Sequence, residues 1–213
     1  VRAGARLAES LLARLPDRAA LPAGPADPVD LQLLGPGQPM AFGLPLTARR
    51  ADILALLVDH PDGLTADEIA YRLFGDDGKA TTVRAEIHRI RQQFPGLVVG
   101  RPYRLAAGVR TDVGLVRELA SRGSALAAVN AYSDDLLPRS TALEVEMIRS
   151  ELRQTVRAAA IGSGGAALAS WCDSRAGRHD LAAIERRLAE LSAGDWGREH
   201  LLARRRRLLA DPA

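Results

Sequence analysis

The sequence predicts an α+β fold in which a β-hairpin, three helices and a second hairpin precede an all-α region of helical hairpins. Two observations predict the first part. Short apolar runs flank glycine and proline over residues 31–44 and 97–105, and apolar residues recur at helical spacing over residues 47–94. From Asp112 onward only the helical spacing persists. The chain has 213 residues, which is enough for one or two domains.

The composition favours helices and excludes several protein classes. Apolar residues make up 47% of the chain and aromatic residues only 4%, so the cores should be aliphatic. No apolar run approaches the roughly 20 residues that span a bilayer, and no signal-peptide pattern opens the chain. The single cysteine, Cys172, cannot form an internal disulfide and is better explained as a small buried residue than as a reactive thiol. We therefore expect a cytoplasmic protein with no membrane partner.

Residues 1–29 are expected to form a helix and a linker that follow a missing upstream domain. Four leucines lie on one face of an amphipathic helix that stops at Pro16: Leu7, Leu11, Leu12 and Leu15. A helix this short needs a partner surface to be stable. Prolines spaced among small residues up to Pro28 are typical of a linker. Because the chain starts at Val1 and not at methionine, we expect a fragment.

Residues 30–110 are expected to form the α+β unit. Residues 31–44 predict a hairpin that turns at Gly35, Pro36 and Gly37. Thr47 is placed to cap the first helix. Thr65 and Glu68 have the spacing of a capping box, which would open the second helix.

The third helix has an apolar side and a cationic side. Four apolar residues recur at spacings of four, three and four: Val83, Ile87, Ile90 and Phe94. At about 100° per residue, the opposite side carries Arg84, His88, Arg91 and Gln92. Six cationic side chains and one acid, Glu86, lie between Lys79 and Arg104. A helix of this kind followed by a tight hairpin is what a winged helix uses to hold DNA.

We therefore expect a DNA-binding surface on the third helix and the second hairpin. The residues expected to face the major groove are Arg84, His88, Arg89, Arg91 and Gln92. Thr81 and Thr82 would hold a phosphate at the helix amino terminus, although simple capping explains one of them equally well. Arg101 would enter the minor groove and Arg104 would contact the backbone, with Tyr103 packed under the hairpin. The alternative is an ordinary solvated helix face.

Residues 111–213 are expected to form an all-helical domain, for which stacked antiparallel helix pairs would be suitable. Thr141 and Glu144 have the spacing of a second capping box, which would open a long helix that ends at the glycines of residues 162–165. The pattern also predicts two helices before this one and three after it. The arginine run at residues 204–207 is expected to be solvated or frayed, with contact to DNA or a partner as the alternative.

No pattern in the chain predicts catalysis or metal binding. The glycines after Ile161 do not form a phosphate-binding loop, because the G-x-x-x-x-G-K-[ST] sequence is missing. The four histidines are scattered without metal-ligand spacing, and one cysteine cannot form a zinc motif. We find no combination of nucleophile, base and acid. We therefore expect no enzyme activity, no catalytic or metal-binding residue and no cofactor.

Several motifs resemble those of a known family. Leu46-Thr47, the stretch from Thr82 to Arg91, and Gly100-Arg101-Pro102-Tyr103-Arg104-Leu105 look like the OmpR/PhoB-type winged helix, a match that covers residues 30–107. The helical half, especially residues 132–138 and the helix after them, is similar to the bacterial transcriptional activator domain of SARP-type regulators. The chain looks closest to the bacterial regulators that carry a GAF sensor domain ahead of such a winged helix.

The resemblance implies a sequence-specific DNA-binding transcriptional regulator, and we expect a homodimer. It places the recognition-helix arginine at Arg89 and its phosphate-binding partner at Arg91, and it implies that the loop at residues 74–78 touches RNA polymerase. Two wing positions depart from the family pattern, namely Val99 and Pro102. A protein-interaction module that reuses the winged-helix scaffold without binding DNA is the alternative.

Overall fold

The computed structural model describes residues 29–210, so the helix and linker expected over residues 1–29 lie almost entirely outside the described residues. Its first part contains strands β1 (Leu31–Gln32), β2 (Met40–Ala41) and β3 (Leu44–Pro45), helices α1 (Ala48–Asp59), α2 (Ala66–Phe74) and α3 (Ala80–Gln93), and strands β4 (Val98–Val99) and β5 (Arg104–Leu105). The helices that follow are α4 (Asp112–Ser121), α5 (Ala125–Ala131), α6 (Leu143–Ser163), α7 (Gly165–Asp173), α8 (Leu181–Glu190) and α9 (Trp196–Ala210).

The amino-terminal hairpin is present and has an additional strand. β1 and β2 are antiparallel, with Leu31 opposite Ala41. β3 then pairs with the other edge of β2, so that Met40 lies opposite Pro45. The sequence did not indicate this third strand, because it is two residues long and ends in proline, which strands usually exclude.

The three helices and the second hairpin occur in the predicted order. The capping box before α2 is confirmed, since the Thr65 side chain accepts from the Glu68 N–H and the Glu68 carboxylate accepts from the Thr65 N–H. Thr47 occupies the cap position of α1 but makes no side-chain capping bond. β4 and β5 form an antiparallel pair, with Val98 opposite Leu105.

The helices predicted after residue 111 are present, but one detail was wrong. The capping box at Thr141 does not form, because α6 begins at Leu143 and its cap position is Ala142. The Glu144 carboxylate instead accepts a hydrogen bond of 2.5 Å from Arg72 of α2.

The arginine run at residues 204–207 lies within α9 and is not frayed. Arg204 donates to the Cys172 carbonyl oxygen at 2.5 Å, and Arg205 donates to Glu185 of α8 at 3.0 Å. Cys172 itself is buried, as expected, and burial raises the pKa of its thiol to about 11. Side chains of α9 therefore hold this helix against α7 and α8.

One continuous core extends through both predicted domains. Buried side chains on each side of residue 110 belong to the same cluster, including Leu31, Val113 and Leu136. α6 also packs against α1 and α2. The division into residues 30–110 and residues 111–213 therefore remains a prediction from the sequence, and no gap in the buried surface marks it.

Backbone hydrogen bonds join the amino-terminal sheet to the helical half. The Asp112 carboxylate accepts from the N–H groups of Leu33 and Leu34 at 2.7 and 2.8 Å, and burial raises its pKa. The Leu137 N–H donates to the Leu33 carbonyl oxygen at 3.0 Å, and Leu34 forms a bridge to Leu136. The turn before α6 thus continues the edge of the amino-terminal sheet.

A buried carboxylate organises this turn. Asp135 is 8% exposed and accepts from the Tyr132 hydroxyl at 2.6 Å and from the Arg153 guanidinium of α6. Burial alone would raise the pKa of Asp135, but the hydrogen bonds from Arg153 and Tyr132 outweigh it and hold this pKa below its usual value. The Asp135 carbonyl oxygen accepts from the Gly35 N–H at 3.0 Å, so the same residue also contacts the first hairpin.

Arg149 fixes the strained end of the turn. Leu137 has a φ of 38°, in the left-handed region that leucine rarely adopts. The Arg149 guanidinium donates to three carbonyl oxygens around it, those of Leu136, Leu137 and Ser140, at 2.6, 2.6 and 2.9 Å. These bonds satisfy carbonyl groups that neither a helix nor a sheet would pair.

No helix among residues 29–210 has the length and the apolar character needed to cross a membrane.

We expect Asp135→Ala to lower the free energy of unfolding by about 2–3 kcal/mol, because it leaves the buried Tyr132 hydroxyl and Arg153 without their shared acceptor. A folded-state pKa below the unfolded value gives stability that is present above about pH 4 and lost as the pH falls through the folded pKa. Urea denaturation between pH 3 and pH 7 should therefore show less acid destabilisation in the variant.

Glu118→Ala provides the control, because Glu118 pairs with Arg122 on the surface of α4, where both side chains are at least half exposed. Its effect on stability should stay within about 0.5 kcal/mol. If both variants lost the same free energy of unfolding, Asp135 would not stabilise the fold more than an exposed carboxylate does.

Candidate nucleic-acid interface

Helix α3 is fixed by its apolar side, as predicted. Val83, Ile87 and Ile90 are at most 1% exposed, and Phe94 is 3% exposed at the end of the helix. Phe94 also packs against Phe42 of the β2–β3 turn, with ring centroids 6.3 Å apart. Since these contacts lie on one face, the opposite face of α3 points to solvent.

The amino terminus of α3 carries no side-chain cap. Lys79 occupies the cap position and makes no side-chain capping bond. Thr81 is exposed and Thr82 is half-buried in the first turn, so the alternative in which one of these threonines caps the helix is wrong. A helix start of this kind leaves backbone N–H groups for solvent or an anion.

His88 and Gln92 lie one turn apart on the exposed side of α3. Within the part of the chain that the structure describes, no hydrogen bond or ion pair involves either side chain. Arg84, one turn earlier, makes a 3.3 Å ion pair with Asp67 of α2, in which the side chains are 53% and 77% exposed. An ion pair this exposed contributes little to stability, so Arg84 can exchange Asp67 for another anion.

Glu86 is a buried acid that the sequence did not predict. It is 8% exposed and accepts from Arg89 at 2.5 Å and from Arg50 of α1 at 3.2 Å. Arg50 continues the network to Gln93 at 2.5 Å. The Arg89 side chain remains 56% exposed, so its guanidinium reaches the surface in an orientation that Glu86 sets. The two arginines on either side of Glu86, at spacings of three and 36 residues, were the only signal for this network.

Arg91 lies against the second hairpin, a placement that differs from the groove-facing one expected for it. Its Nε donates to the Val98 carbonyl oxygen at 2.9 Å and its Nη2 donates to the Gly100 carbonyl oxygen at 3.0 Å. The guanidinium carbon lies 5.2 Å from the centre of the Tyr103 ring. Arg91 therefore holds the hairpin beside α3.

The hairpin presents two arginines to solvent. Arg101 at its tip and Arg104 in β5 are exposed, and no described residue forms a hydrogen bond or ion pair with either side chain. Gly100 has a φ of 72°, and a Cβ there would lie 3.0 Å from the Pro102 carbonyl oxygen, so this tight turn requires glycine.

Tyr103 lies under the hairpin, as predicted, and is 5% exposed. Its backbone exchanges two hydrogen bonds with Leu64, at 2.7 and 2.8 Å, just before α2. The hairpin is thus joined to the start of α2 as well as to α3 through Arg91.

The resulting surface is cationic. The exposed basic residues of α3 and the hairpin are Lys79, Arg84, Arg89, Arg101 and Arg104. The acid within this stretch, Glu86, is buried and paired with two arginines. Elsewhere, residues 29–210 contain no group of three or more His, Cys, Asp or Glu side chains placed to hold a metal ion.

Comparisons with known proteins give two similarities. No family model matches the chain. Over 167 residues it is 38% identical to an uncharacterized 47.3 kDa protein in the thcA 5′ region of Rhodococcus erythropolis. The aligned region covers 76% of this chain and 38% of that protein. The solved structure of Mycobacterium tuberculosis EmbR in complex with a low-affinity phosphopeptide aligns with a TM-score of 0.47 and 19% identity, over 85% of this chain and 65% of that one. The chain thus spans well under half the length of the curated relative that it matches.

We expect Arg91→Ala to lower the free energy of unfolding by about 1–2 kcal/mol, because it removes two hydrogen bonds to the hairpin. Amide hydrogen exchange should also become faster in β4 and β5 than in α1. The control is His88→Ala on the exposed face of the same helix, which should change stability by less than about 0.5 kcal/mol. Unchanged exchange in the hairpin would show that Arg91 does not hold it.

Proposed function

We propose that this chain is part of a DNA-binding transcriptional regulator that inserts α3 into the major groove. The observation that carries the proposal is the exposed side of α3, where His88 and Gln92 are unpaired among the described residues and Arg84 and Arg89 reach solvent. The cationic hairpin stands beside this side of the helix. A major groove about 12 Å wide accepts a helix, and a duplex offers phosphates on both sides of it.

The proposed contacts fall into two groups. Arg84, His88, Arg89 and Gln92 would reach base edges, because arginine pairs with guanine and His or Gln accepts or donates at other bases. The first turn of α3, with Thr81 and Thr82, and the hairpin arginines Arg101 and Arg104 would contact phosphates or the minor groove. Arg91 would act as a positioning residue that keeps the hairpin at a fixed place beside α3.

The rest of the chain is proposed to connect this interface to the transcription machinery in the cytoplasm. We propose residues 111–213 as an activator-type helical domain of a SARP-like regulator, a homodimer in its working form, and a GAF sensor ahead of it. The loop at residues 74–78 is proposed to contact RNA polymerase. In support, Phe74 is 37% exposed beneath Arg49, and the acids Asp76 and Asp77 follow it on the surface.

The first test is the salt dependence of DNA binding by the chain, measured by fluorescence anisotropy. The duplex would be one selected from a random pool by the same protein. The logarithm of the binding constant should fall linearly with the logarithm of salt concentration, by about 0.9 per phosphate contacted. Arg104→Ala should reduce this slope by about 1 and weaken selected and random duplexes alike.

A slope near zero would overturn the proposal and favour the protein-interaction module that does not bind DNA. Arg122→Ala is the matched control, because Arg122 is an exposed arginine that directly follows α4, outside the proposed interface. It should leave the slope unchanged.

The second test separates base reading from structure. Arg89→Ala should weaken the selected duplex by about 1–3 kcal/mol while random duplexes change little. The fold should persist, because Glu86 keeps its partner Arg50. Thermal unfolding followed by circular dichroism checks this. If Arg89→Ala unfolds the protein, or weakens all duplexes equally, Arg89 is not a base-reading residue.

A further inference from the structure

A second basic surface lies far along the helical half from α3. A groove of about 1040 Å³ runs between α9 and the segment that joins α7 to α8. Its charged lining consists of three arginines and one acid: Arg178, Arg204, Arg207 and Asp173. His179 and His200 also line it. α3 packs on α1, α2 and β4, whereas α9 packs on α8, so this groove is separate from the proposed DNA interface.

Two of the arginines are available to a ligand. Arg178 and Arg207 are exposed, and no described residue forms a hydrogen bond or ion pair with either side chain. Arg204 is different, since its side chain is 18% exposed and donates to the Cys172 carbonyl oxygen. It lies 3.7 Å from Asp173, which is 72% exposed and does not neutralise the other two arginines.

The groove also has an apolar wall. Leu181 of α8 and Leu208 of α9 line it, and both are partly exposed. Inorganic phosphate or a nucleic-acid backbone would gain nothing from leucine side chains, whereas a peptide with apolar residues would bury them.

We propose that this groove binds a short acidic, amphipathic segment of a partner protein. The partner's carboxylates would pair with Arg178 and Arg207, and its apolar side chains would cover Leu181 and Leu208. Complementary charge at the rim sets the orientation of such a segment, and burial of the apolar side chains adds affinity. The proposal does not depend on whether α3 binds DNA.

The test uses the same chain and three probes, with binding measured by isothermal titration calorimetry. The first is a synthetic helical peptide with leucines on one face and glutamates on the other. The second replaces its glutamates by lysines, and the third is sodium tripolyphosphate. The glutamate peptide should bind saturably, and at least tenfold more tightly than the lysine peptide. Replacing the leucines of this peptide by serines should lower its affinity for the chain at least tenfold.

The variant R178E/R207E should bind the glutamate peptide at least tenfold more weakly. R206E is the matched control, because Arg206 lies on the same helix, is exposed and does not line the groove. An equal loss of affinity for the glutamate peptide in R178E/R207E and in R206E would overturn the proposal. If tripolyphosphate binds as tightly as the peptide, or the serine version binds equally well, the groove is a plain anion site and the proposal is wrong. The comparisons among probes use the unsubstituted chain, so they do not depend on whether a variant folds.

Discussion

Asp135 lies in a turn that contacts three parts of the molecule. Its carboxylate accepts from Tyr132 and Arg153, and its carbonyl oxygen accepts from the first hairpin. A buried carboxylate is costly unless its oxygens are paired, so these partners must be in place together. The positions of α6 and of the amino-terminal sheet are thereby coupled. Because α6 packs on α1 and α2, which in turn support α3, the orientation of the exposed helix also depends on this turn.

A second buried acid has a different effect. Glu86 joins α1 to α3 through Arg50, and it also holds Arg89 with its guanidinium at the surface. An arginine side chain loses conformational entropy when it binds a ligand. Because Glu86 already restricts Arg89 in the folded protein, part of this entropy is lost before any ligand binds. The burial of Glu86 and its pairing with the two arginines also keep its negative charge away from the exposed side of α3. One residue therefore contributes both to the packing of the unit and to the charge of its surface.

Much of the fold follows from the sequence because its signals are local. The stripe of Val83, Ile87 and Ile90 and the capping box at Thr65 involve neighbours within a helix turn or two, and both are present in the structure. Long-range choices were harder to anticipate. Glu144 has the right spacing to cap α6 but pairs with Arg72 of α2, and Arg91 faces the hairpin although the helical wheel places it on the open side. In both cases a partner distant in sequence or on the flank of the helix competes with the local rule.

Because the core continues across residue 110, residues 30–110 could not easily be transferred alone to another protein. A gene fusion that carried residues 30–110 alone would leave the buried faces of Leu31, Leu33 and Ala41 without Val113, Leu136 and their neighbours. The sheet edge at Leu34 would also lose its partner. The smallest transferable piece is therefore set by buried surface, and it extends at least through α6. Recombination during evolution would have to move α6 together with the proposed interface on α3 and the second hairpin.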